Sequence, residues 1–89
     1  MAYARRKDST HRAVVEAFQA LGFTVCDVSR APYCPDLFVA RRGRTIAVEV
    51  KAPKGRRKAH QMDFAERWAG DYALVISAEQ VVKDFGGSL

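Results

Sequence analysis

The tightest constraint in this chain lies at residues 45–51. Thr45 to Lys51 reads as a β-strand, and side chains on a strand alternate between its faces. Ile46, Val48 and Val50 therefore share one face, and Thr45, Ala47, Glu49 and Lys51 share the other. Glu49 and Lys51 point the same way, about 7 Å apart along the strand. Packing gives no reason to place an acid and a base on one face when the opposite face is wholly apolar. Just upstream, Asp36 to Ala40 reads as another strand, and Arg41-Arg42-Gly43-Arg44 is a tight turn with Gly in its middle. The two strands pair as a hairpin, and the short turn brings Asp36 opposite the Glu49 end.

The rest of the chain supplies cover for that hairpin. Asp8, Ser9 and Thr10 offer N-cap oxygens, and from about Ser9 to Leu21 the apolar residues Val14, Val15, Phe18 and Leu21 fall on one helical stripe. Gly22 suits the position after a helix end. Phe23 to Val28 alternates and is rich in β-formers, so it predicts a strand. Residues 29–35, with Pro32 and Pro35, read as a loop. Pro53 and Gly55 break the Thr45–Lys51 strand, and Lys54 to Lys58 forms a basic loop. A second helix is expected from about Lys58 to Ala69, stopped by Gly70. Tyr72 to Ile76 is a continuous apolar run, expected as a strand buried on both faces. Ser77-Ala78-Glu79-Gln80 is a capping box opening a last helix to about Phe85. The order α-β-β-β-α-β-α, without repeat or linker, predicts one α/β domain over residues 1–89, with a small mixed sheet flanked by helices. Residues 1–7 precede the first apolar stripe and read as a basic N-terminal arm.

With 89 residues, the chain holds one domain with a modest core. Dimerisation is a natural way for such a chain to bury more surface. The net charge of +5 and pI near 9.6 favour a polyanionic partner, most commonly nucleic acid. Arg outnumbers Lys ten to five, and a guanidinium grips phosphate through two parallel hydrogen bonds. No secretory leader and no apolar run of about 20 residues is visible, so the expected setting is the cytoplasm, with Cys26 and Cys34 as free thiols.

Two carboxylates meeting at a strand end, Asp36 and Glu49, form a hard-oxygen site of the type Mg²⁺ or Mn²⁺ prefers. Such an ion activates water and stabilises charge on a phosphodiester, and Lys51 adds a cation beside it. The alternative is a plain ion pair of Glu49 with Lys51, with Asp36 as a turn residue. The helices bear on this choice. At 100° per residue, His11 lies in the middle of the first helix's apolar stripe, and Glu16 lies about 140° away and faces solvent. Gln61 shares the stripe of Phe64, Ala65 and Trp68. Each helix thus turns one polar side chain toward the sheet near its start. A satisfied core histidine is the plainer alternative for His11.

Together these residues resemble the PD-(D/E)XK nuclease signature, and most closely the VRR-NUC domain in its small stand-alone phage versions. The likeness rests on Thr10-His11, Cys34-Pro35-Asp36-Leu37-Phe38-Val39, Val48-Glu49-Val50-Lys51, Gln61, Trp68-Ala69-Gly70 and Val75-Ile76-Ser77-Ala78-Glu79. Their joint order covers nearly the whole chain. The resemblance implies a restriction-endonuclease-like core and a divalent metal held by Asp36, Glu49 and the Val50 carbonyl. It implies that Lys51 is catalytic, that Gln61 is the helix glutamine of the pattern, and that His11 stands where many relatives carry Glu. It also implies a homodimer cutting four-way (Holliday) junctions, with a two-fold axis relating two sites. Forked, flapped or nicked duplex is the alternative substrate, and a non-catalytic DNA-binding module is the alternative of another class. Arg5-Arg6-Lys7, Arg41, Arg42 and Arg44, and the loop carrying Lys54, Arg56, Arg57 and Lys58 are expected to rim the site. They would contact DNA phosphates without reading base sequence. Each cluster could equally be a solvated turn.

Overall fold

A computed structural model describes the backbone of residues 2–52 and 54–87, with side chains in that range from Ser9 onward. The elements are α1 (Ala2–Ala20), β1 (Thr24–Asp27), β2 (Leu37–Arg41), β3 (Arg44–Val50), α2 (Ala59–Arg67), β4 (Asp71–Val75) and α3 (Ala78–Phe85). The expected order is present. The first helix starts at Ala2 instead of near Ser9, so the stretch expected as an arm is helical and Asp8, Ser9 and Thr10 do not cap it. Ala, Arg and Lys are strong helix formers, and the run Ala2-Tyr-Ala-Arg-Arg-Lys needs no cap to join the helix. The Arg5, Arg6 and Lys7 side chains lie outside the described residues.

The four strands run β1-β2-β3-β4 across one sheet. β1, β2 and β3 are antiparallel neighbours, while β4 lies parallel to β3 and is reached through α2. The β2–β3 turn is as short as its Gly suggests. Arg41 pairs with Arg44, and Arg42 and Gly43 have φ of 56° and 82°, the left-handed geometry that two-residue hairpins require. The register pairs Leu37 with Val48, so the next residues along, Asp36 and Glu49, come together at the open end of the hairpin.

One face of the sheet carries the core. Leu37, Val39, Ile46, Val48 and Val75 pack with Val14 and Phe18 of α1, Val81 of α3 and Phe23. Phe18 sits at the centre of an aromatic cluster, with ring centroids 5.2 Å from both Phe23 and Phe85. The other face is more thinly covered. α2 buries none of its residues fully, and it holds the sheet through Phe64, Trp68, Phe38 and Tyr72. Its helix ends two residues short of the expected Ala69. The Trp68 N–H still bonds to Phe64 O, while its indole N–H donates to Asp71 O. Gly70 fits under that ring because a Cβ there would lie 2.9 Å from Trp68 Nε1.

β4 departs from expectation in the same region. It is an edge strand, and Tyr72, Ala73 and Leu74 are half-buried; only Val75 is buried. A parallel strand entered by a crossover lands outside β3, where α3 and the short α2 cover it incompletely. The last helix is capped as its sequence suggests. Ser77 Oγ accepts from Gln80 N, and Gln80 Oε1 accepts in turn from Ile76 N. Cys26 and Cys34 are free thiols. Among the described residues, no helix is long and apolar enough to cross a membrane.

Candidate functional site

The open end of the β2–β3 hairpin faces a cleft of about 620 Å³ between the first turns of α2 and the part of α1 around His11. Asp36, Val50, Lys51, His11 and Gln61 all line it. Pro35 is fully buried and Val28 N donates to Asp36 O, so Asp36 is anchored on both sides. Its Oδ2 accepts from Val50 N at 2.8 Å, which ties the end of β2 to the end of β3. Burial raises the Asp36 pKa, and the nearby charges of Glu49 and Asp27 push the same way; the Val50 N–H and His11 oppose them only in part.

Glu49 shares the face expected for it but does not reach the cleft surface. It is 1% exposed. The Tyr72 hydroxyl donates a hydrogen bond to its Oε1, and Arg57 reaches both oxygens, with Nε and Nη2 each at 3.4 Å. Arg57 Nη2 also donates to Tyr72 Oη at 2.9 Å. Burial and the Glu49 carboxylate push the Tyr72 phenol up to about 12. Expected as a DNA contact, Arg57 instead turns inward as the counter-ion of a buried carboxylate.

On the α1 side of the cleft, His11 Nε2 lies 2.8 Å from Asp27 Oδ2. Asp27 Oδ1 accepts from both the hydroxyl and the N–H of Ser29, at 2.6 Å and 3.0 Å. Partial burial would raise the Asp27 pKa, but the Ser29 and His11 hydrogen bonds outweigh it and hold the carboxyl at about 2. Asp27 thus stays ionised and fixes the His11 ring. The sequence reading missed this residue. The signal was available: Phe23, Val25 and Asp27 alternate onto one face, so an acid ends an otherwise apolar row.

No protein-family model and no curated protein matches this sequence. A solved structure described as "VRR_NUC domain" matches it with a TM-score of 0.67 and 26% identity, over 84% of this chain and 91% of that one. The likeness in fold and sequence supports a VRR-NUC domain. It supports, accordingly, a nuclease-type domain of the PD-(D/E)XK superfamily.

In this VRR-NUC-like chain the basic residues divide differently from expectation. Arg56 and Lys58 line the cleft, joined by Arg30 from the β1–β2 loop, and Lys54 is exposed beside them. Arg41, Arg42 and Arg44 do not rim the site. They sit at the hairpin tip, at the far end of five-residue β2 from Asp36. There Arg44 pairs with Asp71 at 2.7 Å, and Arg41 donates to Leu21 O and Phe85 O. A hairpin places its turn and its open end a full strand length apart, so both cannot border one cleft. Gln61 lines the cleft, but its Oε1 is engaged by Lys58 N at 2.8 Å and caps the start of α2. Glu16 is exposed on α1.

Proposed function

We propose that this VRR-NUC-like chain is a Mg²⁺- or Mn²⁺-dependent DNA endonuclease that cuts branched DNA, four-way junctions foremost, as a homodimer. The observation that carries the reading is Asp36 in the lining of a basic cleft, with Glu49 next to it in register on the paired strand and buried behind the cleft surface. Their carboxylates and the Val50 carbonyl are the hard-oxygen donor set such an ion takes, and a bound cation would offset the cost that burial places on the charged form of Asp36. Among the described residues, no three His, Cys, Asp or Glu side chains form a complete metal cage. Mg²⁺ commonly takes one or two carboxylates and completes its shell with water and substrate phosphate, so this sparse set fits it. When bound, the ion supplies an activated water and charge neutralisation at the phosphodiester.

The protein's own residues do the rest. Arg30, Arg56 and Lys58 hold the DNA backbone in the cleft. Lys51, one residue past the end of the strand that carries Glu49, stabilises charge developing on the scissile phosphate. His11, oriented by Asp27, borders the phosphate from the α1 side. The edge strand β4, with Ile76 41% and Val82 55% exposed nearby, supports a second copy as partner.

Cleavage of matched linear, forked and four-way DNA, with and without Mg²⁺ and with Lys51→Ala as the blank, tests this reading. Faster cutting of forks than of four-way junctions would move the substrate to forked, flapped or nicked duplex. No cutting of any of the three would leave a DNA-binding module. Binding is expected to follow the count of cleft cations: with Arg30, Lys51, Arg56 and Lys58 engaged, log K should fall with log salt at a slope of about −3 to −4. A flat salt response would remove the phosphate contacts. Glu16→Gln should leave the rate unchanged, whereas His11→Ala should slow it on the order of tenfold through lost positioning. The opposite ranking would place the wrong face of α1 in the cleft.

A further inference from the structure

Arg57 and Tyr72 hold Glu49 in unequal ways. Tyr72 is built into the sheet: it pairs with Ala47 in register and donates to Glu49 from the neighbouring strand. Arg57 comes from the loop between β3 and α2, its side chain is still 27% exposed, and both its contacts to Glu49 are long at 3.4 Å. One partner is a fixed donor, and the other is a cation that touches the carboxylate only at long range, is tethered by its 2.9 Å hydrogen bond to Tyr72 Oη, and has a way out to solvent. A carboxylate that is 1% exposed cannot stand without positive charge beside it, because an unpaired buried ion is strongly destabilising. A departure of Arg57 therefore leaves the carboxylate to be neutralised by a proton or by another cation at the same oxygens, and a divalent ion is the stronger of the two partners. Asp36 is the register neighbour of Glu49 on the adjacent strand, one step beyond the Leu37–Val48 pair.

Resting on the reading of Asp36 and Glu49 as a metal-holding pair, we propose that Arg57 is an exchangeable counter-ion for Glu49. It neutralises the carboxylate when no metal is bound and yields its place to a divalent cation, while Tyr72 keeps the carboxylate oriented. Arg57 is thus a positioning residue that sets how strongly the site competes for metal. Once released on its loop beside Arg56 and Lys58, its guanidinium is suited to a phosphate oxygen.

Mn²⁺ binding to the full chain without DNA, followed by loss of the free-ion paramagnetic resonance signal, tests the exchange. Arg57→Gln is expected to bind Mn²⁺ about tenfold tighter than the wild type, since the ion no longer displaces a resident cation. The same variant should lose thermal stability, and Mn²⁺ should restore it. Equal or weaker Mn²⁺ binding by folded Arg57→Gln overturns the proposal. A second measurement avoids the variant: saturating Mg²⁺ should move the Arg57 Nε–H nuclear magnetic resonance signal of the wild type to the position of a solvated arginine. An unchanged signal alongside metal-dependent DNA cleavage overturns the exchange and leaves the nuclease reading standing. A shifted signal without cleavage of any DNA supports the exchange and removes the nuclease reading.

Discussion

Asp36→Asn and Glu49→Gln should each lower DNA cleavage by about 10³-fold or more, the scale of losing several kcal/mol of metal-assisted charge stabilisation. DNA affinity should persist, because phosphate binding is carried by Arg30, Lys51, Arg56 and Lys58 and not by the carboxylates. The amides are chosen for their packing. Asn at 36 can still accept from Val50 N, which keeps the hairpin end closed. Gln at 49 can still accept from the Tyr72 hydroxyl, and it leaves no void at a position only 1% exposed. It does leave Arg57 without its counter-charge, so Glu49→Gln should melt earlier than Asp36→Asn. Rates on the preferred DNA, binding by fluorescence anisotropy and melting temperature together check the prediction. Binding and cleavage falling in parallel, in protein that still melts cooperatively, would show that these carboxylates support the binding surface instead of the reaction.

Much of this architecture is legible because it follows from local periodicity. Alternation along β3 separates Glu49 from Val48 and Val50, and a two-residue turn fixes the register that sets Asp36 beside it. The phase of α1 places His11 in the cleft and Glu16 in solvent. What escapes a reading along the chain is the direction in which long charged side chains turn. Arg57 sits in a run of five basic and glycine residues that reads as a phosphate rim, yet its nearest acid is Glu49, reached across a loop and buried with Tyr72 from another strand. Nothing within a few residues of Arg57 signals that pairing. The exposure of β4 escapes for a related reason. Its apolar run fits a central strand, and only the crossover through α2 makes it an edge. Asp27 is a different case, since the alternation that identifies Glu49 also identifies it, and the His11 pairing then accounts for both polar groups.

Arg41→Ala is expected to destabilise the fold by about 2–3 kcal/mol and to leave DNA binding by the folded protein unchanged. The estimate combines two hydrogen bonds from a charged donor, worth about 1.5–3 kcal/mol each at most and not additive, with a cation–π contact of about 0.5–2 kcal/mol. The Arg41 fork donates to Leu21 O at 2.8 Å and to Phe85 O at 3.1 Å, and its guanidinium carbon lies 4.3 Å from the Phe23 ring centre. Those carbonyls stand at the C-terminal ends of α1 and α3, where carbonyl groups lack helical partners and a positive charge meets the negative end of each helix. One side chain therefore joins the ends of both core-side helices to the hairpin tip. Lys at 41 cannot fork to both carbonyls, so Arg41→Lys should recover only part of the loss. Arg44 gives the contrast. Its partner Asp71 is exposed, and such surface pairs are worth about 0–1 kcal/mol, so Arg44→Ala should lie well below Arg41→Ala. Arg56→Ala should do the reverse of Arg41→Ala, weakening DNA binding with little change in stability. Urea unfolding separates these outcomes, because a shifted midpoint at constant slope reports stability alone. If Arg41→Ala instead kept its midpoint and lost DNA affinity, the hairpin tip would belong to the DNA surface after all, and the DNA path would extend a full strand length beyond the cleft.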